Sequence, residues 1–150
     1  MTINRVLKNT KAIIAAHGWS VIAVADNPPF AYTAGLTTTF HHPELLMFGL
    51  APDVMQGTLN AAGRLVREGQ RLTPYIDVHE VLDGYPVRFL PVDLSIHHGY
   101  ANIAEALSPV AIEVLQLCWP DAAGRFPFEP GFDPRYATIQ PVIGTAMIRH

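Results

Sequence analysis

The chain reads as an α+β protein, a mainly antiparallel β core flanked by two or three helices, and three observations lead there. Short runs with strand-like alternation recur along it, and the early ones are joined by links too brief for crossover helices. Other stretches carry apolar residues at helical spacing instead. Thirteen prolines and eleven glycines are spread throughout rather than pooled in one linker, the punctuation of many short elements. With 150 residues, 49% of them hydrophobic, and no repeat or boundary, one domain spanning residues 1–150 is expected to bury a proper core. A β-rich core of this kind can curl into a small barrel.

The elements follow in order. Residues 3–16 place Ile3, Val6, Ile13 and Ile14 near helical spacing, with lysines on the other face, and Gly18 suits the helix end. Trp19, Val21 and Ala23 then alternate with Ser20, Ile22 and Val24 as a strand. After the break at "DNPP", "FAYTAGL" (30–36) resumes a strand with Tyr32, Ala34 and Leu36 on one face and Thr33 and Gly35 on the other. "ELLMFGL" (44–50) is continuously apolar, as expected of a central strand covered on both faces. A helix should begin at Pro52 and Asp53 and stop before Gly69, burying Met55, Leu59, Ala62 and Val66. Residues 76–93 read as a hairpin turning at Asp83-Gly84, a pair that tolerates the positive φ of a type I′ turn. A short helix is expected within 97–107, with Tyr100, Ile103, Ala104 and Leu107 inward, and a final strand within 109–119. The proline-rich remainder should wrap the core irregularly, anchored by Trp119, Phe126, Phe128 and Phe132, with Asp121 and Arg125 able to pair.

Composition narrows the function classes. A formal net charge of -3 gives no basic footprint, so nucleic acid is not an expected partner. Nothing approaches about 18 uninterrupted apolar residues, so no membrane span is read. His17, Gly18 and Ser20 interrupt the first apolar stretch, which argues against a signal peptide. The single cysteine, Cys118, cannot close an intrachain disulfide; it fits a reducing cytoplasm and a buried, unreactive position.

Chemistry concentrates in "FAYTAGLTTTFHHPELLMFGL", residues 30–50, where three threonines, two histidines and a glutamate separate two core-forming runs. Thr33 and Gly35 on one strand face would offer a hydroxyl and room for a closely approaching ligand. Thr37, Thr38, Thr39, His41 and His42 would form a loop rim, and Arg64 or Arg67 from the following helix would supply bidentate bonds to a phosphate. Thr33, Gly35, Thr37, His41 and Arg64 are thus the candidate cofactor contacts. The bland counterpart is a Thr-rich surface loop, with Gly35 present for backbone reasons. His41, His42 and Glu44, helped by His97, His98 or His17, would be the start of a metal site, but adjacent histidines in extended chain face opposite ways and no helical HExxH spacing occurs, so a metal is not expected. Ser20, Ser95 and Ser108 lack a nucleophile elbow, which removes a serine hydrolase.

The stretches "HGWSVIAV", "PPFAYTAGL", "HPELLMFGL" and "LQLCWPDAAGRFPFEPGF" together resemble the bacterial family known as domain of unknown function 4262, over about residues 17–140. The resemblance implies kinship of fold and brings no reaction with it. In element order alone, a Thr/Gly-bearing strand, a polar link, an apolar strand and a helix, the chain is also similar to flavin-binding split-barrel proteins. That likeness implies a homodimer binding FMN or a similar phosphate-bearing cofactor, working as an oxidoreductase. The alternative is a binding or interaction domain without cofactor, and a His-dependent metallohydrolase comes third.

Overall fold

The computed structural model describes residues 2–146. The chain runs α1 (Ile3–His17), β1 (Ser20–Val24), β2 (Phe30–Ala34), α2 (Leu36–Phe40), β3 (Glu44–Phe48), α3 (Pro52–Arg67), β4 (Asp77–Leu82), β5 (Tyr85–Val92), α4 (Asn102–Leu107), β6 (Val114–Cys118) and α5 (Pro134–Ala137). Six strands form one sheet in the order β1-β2-β3-β6-β5-β4. Every pairing is antiparallel except β3 with β6, which the long excursion through α3, β4, β5 and α4 makes parallel.

Three buried layers explain why these residues make these elements. On one sheet face Ala31, Leu45, Met47, Val87, Phe89, Leu115 and Leu117 pack under Met55, Leu59, Ala62 and Val66 of α3, the stripe expected from the sequence. On the other, Phe30, Tyr32, Leu46, Phe48 and Val114 meet Ile14 of α1 and Ala101, Ile103 and Ala104 around α4. Every residue of β2, β3 and β6 is therefore buried, and each large apolar side chain so placed contributes roughly 1.5–3 kcal/mol. Cys118 sits inside a third cluster with Leu90 and Phe126, and burial pushes its thiol up to about 12, the inert cysteine the sequence suggests.

Three expectations are corrected. The sheet is open: β1 and β4 are its edges, and no barrel closes among the described residues. The reason is α3, which packs against β1, β2, β3 and β4 together, so the sheet wraps a helix instead of closing on itself. The Asp83-Gly84 turn is not type I′, because Gly84 has φ +80° while Asp83 stays out of the left-handed region. Pairing slips between Val78↔Val87 and Leu82↔Tyr85, so a bulge absorbs the twist that a primed turn would have supplied. Finally, Thr37–Thr39 are not a loop rim but the body of α2.

The C-terminal wrap holds through buried amides. Gln140 accepts from Trp119 N–H (2.8 Å) and donates to Trp119 C=O (2.9 Å). Gln116 accepts from the amides of Ile143 and Gly144 and donates to Pro141 C=O. Phe126 and Phe128 stack in parallel under the Arg88 guanidinium, which lies 4.6 Å from the Phe126 ring centre.

Candidate functional site

The link between β2 and β3 is organised by Glu44. Gly35 takes φ +106° and opens α2, but it has no side chain with which to cap the helix, so the first amides of α2 need another acceptor. Glu44 supplies it from the start of β3: Oε1 accepts from Leu36 N–H (3.2 Å) and Oε2 from Thr37 N–H (2.9 Å). The Thr33 hydroxyl donates to Oε1 (2.8 Å) and itself accepts from Leu45 N–H (2.9 Å). At the far end of α2, His41 adopts φ +54°, and its carbonyl accepts from the Arg71 guanidinium (2.9 Å).

Glu44 is 1% exposed. Desolvation pushes its carboxyl above the ordinary glutamate range, and the opposing hydrogen bonds from Thr37, Thr33 and Leu36 do not cancel it. A carboxylate offers about four acceptor positions; the Thr33 hydroxyl and two amides take two on Oε1 and one on Oε2, and the Thr37 hydroxyl, which donates to His42 C=O (3.2 Å), also stands beside it. Glu44 also lines a cleft of about 250 Å³ between α1, the start of α2 and α4. Ile14, Ala15, Ala104 and Leu107 give that cleft apolar walls, while Lys11, Thr38 and Ser108 add polar groups. The wall is fixed from the sheet, because the Tyr32 hydroxyl accepts from Ile103 N–H (3.1 Å) at the start of α4. The buried carboxyl and the cleft beside it together make a site that can receive a hydrogen-bond donor or hold a proton.

Four of the five residues expected from the sequence gather at this link, in different roles. Thr33 and Thr37 bond to Glu44. Gly35 lines the Glu44 cleft, although the room left by its missing side chain is taken by α1: a Cβ there would stand 2.9 Å from Ile14 Cγ2 and 3.0 Å from Gly18 C=O. Thr37 and His41 line a neighbouring cleft of about 220 Å³ with Pro43, Arg71 and Glu113. Arg64 lies elsewhere, lining a separate cleft with Trp19 and Arg67. Arg71, just beyond α3, brings positive charge to the cleft lined by Thr37 and His41 instead.

The histidines do not assemble. His42 is buried, with Nδ1 bonded to Pro43 C=O (2.9 Å) and Nε2 accepting from Leu72 N–H (3.0 Å). Those two bonds require the neutral Nδ1–H tautomer, and burial lowers its basicity accordingly. No group of three or more His, Cys, Asp or Glu that could hold a metal occurs among the described residues.

One feature of the sequence does mark Glu44 as a hub rather than a metal ligand. It is a lone carboxylate opening an otherwise apolar, doubly covered strand, and a charge placed there must have partners. Arg71 and Lys11 gave no such signal, since only the packing of α1 and the post-α3 segment carries them to the clefts.

Among the described residues no helix is long and apolar enough to cross a membrane. Comparison with curated proteins and with solved structures returned no match. The family model described as "Domain of unknown function (DUF4262)" matches residues 13–133, which takes in Glu44 and every strand of the sheet, and the chain belongs to that family.

Proposed function

We propose that the protein is a small-molecule-binding domain whose ligand enters the cleft between α1, α2 and α4 and meets the Glu44 carboxylate at its inner end. The observation that carries this reading is a buried carboxylate, hydrogen-bonded only by neutral donors, that lines a cleft with apolar walls. The chemistry selects a ligand with a hydrogen-bond donor, an amine or hydroxyl, on an apolar body. A cleft of about 250 Å³ lies below the roughly 300–1,000 Å³ of sites for drug-sized ligands, so a compact ligand fits and a dinucleotide does not. Because Glu44 already caps α2, it works here as a recognition group, and binding is expected without turnover.

The experiment is a panel of small amines and alcohols tested for thermal stabilisation, followed by Glu44→Gln. A hit whose stabilisation disappears in the folded Glu44→Gln variant supports the reading. No hit across the panel, or a hit indifferent to Glu44→Gln, removes it.

A phosphate-bearing cofactor such as FMN, with an oxidoreductase role, is the second reading. It is favoured by Arg71 beside Thr37 and His41, where the cleft of about 220 Å³ shares Pro43, Arg71 and Glu113 with one of about 440 Å³. Glu113 and Asp93 in those clefts oppose an anion, which places it second. Freshly isolated protein with a flavin spectrum supports it; colourless protein unaffected by added FMN argues against it.

A further inference from the structure

The cleft that holds Arg64 has a character of its own. About 380 Å³ in volume, it runs between the end of α1, the edge strand β1 and one flank of α3. Gln56, Asn60, Arg64 and Arg67 line it from α3, at positions that share one stripe of a helix, and Trp19 and His17 line it from the other side. No aspartate or glutamate is among its lining residues, on a chain whose formal net charge is -3. Neither Arg64 nor Arg67 has a carboxylate partner among the described residues; the arginines that do are Arg88, Arg125 and Arg135.

Trp19 organises this groove. It lies flat on α3 at Gly63, where a Cβ would stand 2.5 Å from Trp19 Cε2. Its indole N–H donates to Asn60 Oδ1 (3.0 Å). An indole N–H is a donor only, so the Asn60 oxygen is committed to it and the Asn60 NH2 is the end left for other partners. The Arg67 guanidinium sits 5.4 Å from the Trp19 ring centre, which restricts a long and otherwise mobile side chain. The groove thus combines two guanidiniums without a carboxylate partner and an amide whose oxygen is already engaged, and no carboxylate among its lining residues opposes them.

We propose that this groove is an anion site for a phosphate dianion, free or as the terminal group of a monoester, held by Arg64, Arg67 and Asn60. Guanidinium forks match the oxygens of a phosphate bidentately, and the neutral amide adds a third donor. The proposal is independent of the Glu44 cleft, with which it shares no lining residue.

Indole N–H resonances test it, because only Trp19 lies in the groove while Trp119 donates to Phe48 C=O in the core. Titration with inorganic phosphate and, separately, phenyl phosphate at constant ionic strength should shift the Trp19 signal saturably and leave Trp119 in place. Tighter binding of phenyl phosphate identifies a monoester as the ligand, and equal or tighter binding of inorganic phosphate identifies the free ion. In an Arg64→Gln, Arg67→Gln double variant, which changes exposed side chains, affinity should fall roughly tenfold or more. Shifts that never saturate, that persist in the double variant, or that acetate reproduces equally would overturn the proposal.

Discussion

Glu44 and Asp121 are both buried carboxylates that tie an irregular segment to the sheet, and they end in opposite electrostatic states. Asp121 accepts four hydrogen bonds: the amides of Ala123 and Arg125 on Oδ1, the amide of Asp133 and the Arg125 guanidinium on Oδ2. Burial alone would raise its carboxyl, but those donors and the Arg125 charge carry it below the ordinary aspartate range. Glu44 accepts three, all from neutral donors, and burial wins. A saturated carboxylate with a cation beside it is a fastener. One held by neutral donors alone, lining a cleft, is a fastener that can also bind.

The sharpest way to break the comparison is to remove Glu44. Glu44→Ala strands the Thr33 hydroxyl and two α2 amides in the interior and should cost roughly 3–5 kcal/mol in chemical denaturation. A loss under about 1 kcal/mol would show that water reaches these donors and that the carboxylate is not an interior group.

Next in size is the other region. Gln140→Ala removes both bonds to the Trp119 backbone and should cost about 2–3 kcal/mol, without altering any ligand response of the Glu44 cleft. Altered binding in that variant would mean the two regions are not separable.

The opposite shifts also predict opposite pH dependence. Glu44, raised when folded, contributes stability that is present below its unfolded value of about 4.5 and is lost as pH climbs through its folded value. Asp121, depressed when folded, contributes stability that is present above about 3.8 and is lost as pH falls through its folded value. Measured against Glu44→Gln, the wild type should therefore lose relative stability as pH rises above 4.5; measured against Asp121→Asn, it should gain as pH rises from acid. Each unit of separation between folded and unfolded values is worth about 1.4 kcal/mol for Glu44. Parallel slopes in the two comparisons would contradict the assignment. Buried His42, depressed in basicity, adds acid sensitivity of its own below about 6.5, which is why the variants are compared rather than the bare wild-type curve.

Smallest is His41→Gly. A left-handed backbone at an exposed histidine is relieved by glycine, at the expense of greater freedom in the unfolded chain, so stability should change by no more than about 1 kcal/mol. A large loss would assign the His41 ring a structural contact that the fold does not show.

Much of this architecture was legible from periodicity. The α3 stripe, the doubly covered β3 and the hairpin at 76–93 all follow from local pattern, because the burial that selects them is carried within each segment. Features set by distant partners were not. An open sheet depends on how far α3 reaches across it, and the parallel β3–β6 pair on where the chain returns after α4. The five residues of α2 are three threonines between Leu36 and Phe40, poor helix formers that read as loop; what stabilises them is a carboxylate eight and seven residues downstream of the amides it caps. The link between β2 and β3 stands out in the sequence by its hydroxyls and imidazoles, but its organising group is Glu44. The Thr33 hydroxyl and two amides face the chain's own carboxylate, the hydroxyls of Thr37, Thr38 and Thr39 donate to backbone carbonyls, and the charged side chains nearby, Lys11 and Arg71, come from segments that no local pattern connects to residues 33–44.

The most direct test is a carbon-13 carboxyl titration of the wild-type protein that resolves Glu44 and Asp121 in the same spectra. The account predicts a midpoint for Glu44 above that of an ordinary glutamate and one for Asp121 below that of an ordinary aspartate. A Glu44 midpoint at or below the ordinary value would contradict it, because the carboxylate would then be as fully satisfied as Asp121 and would have nothing left to offer a ligand.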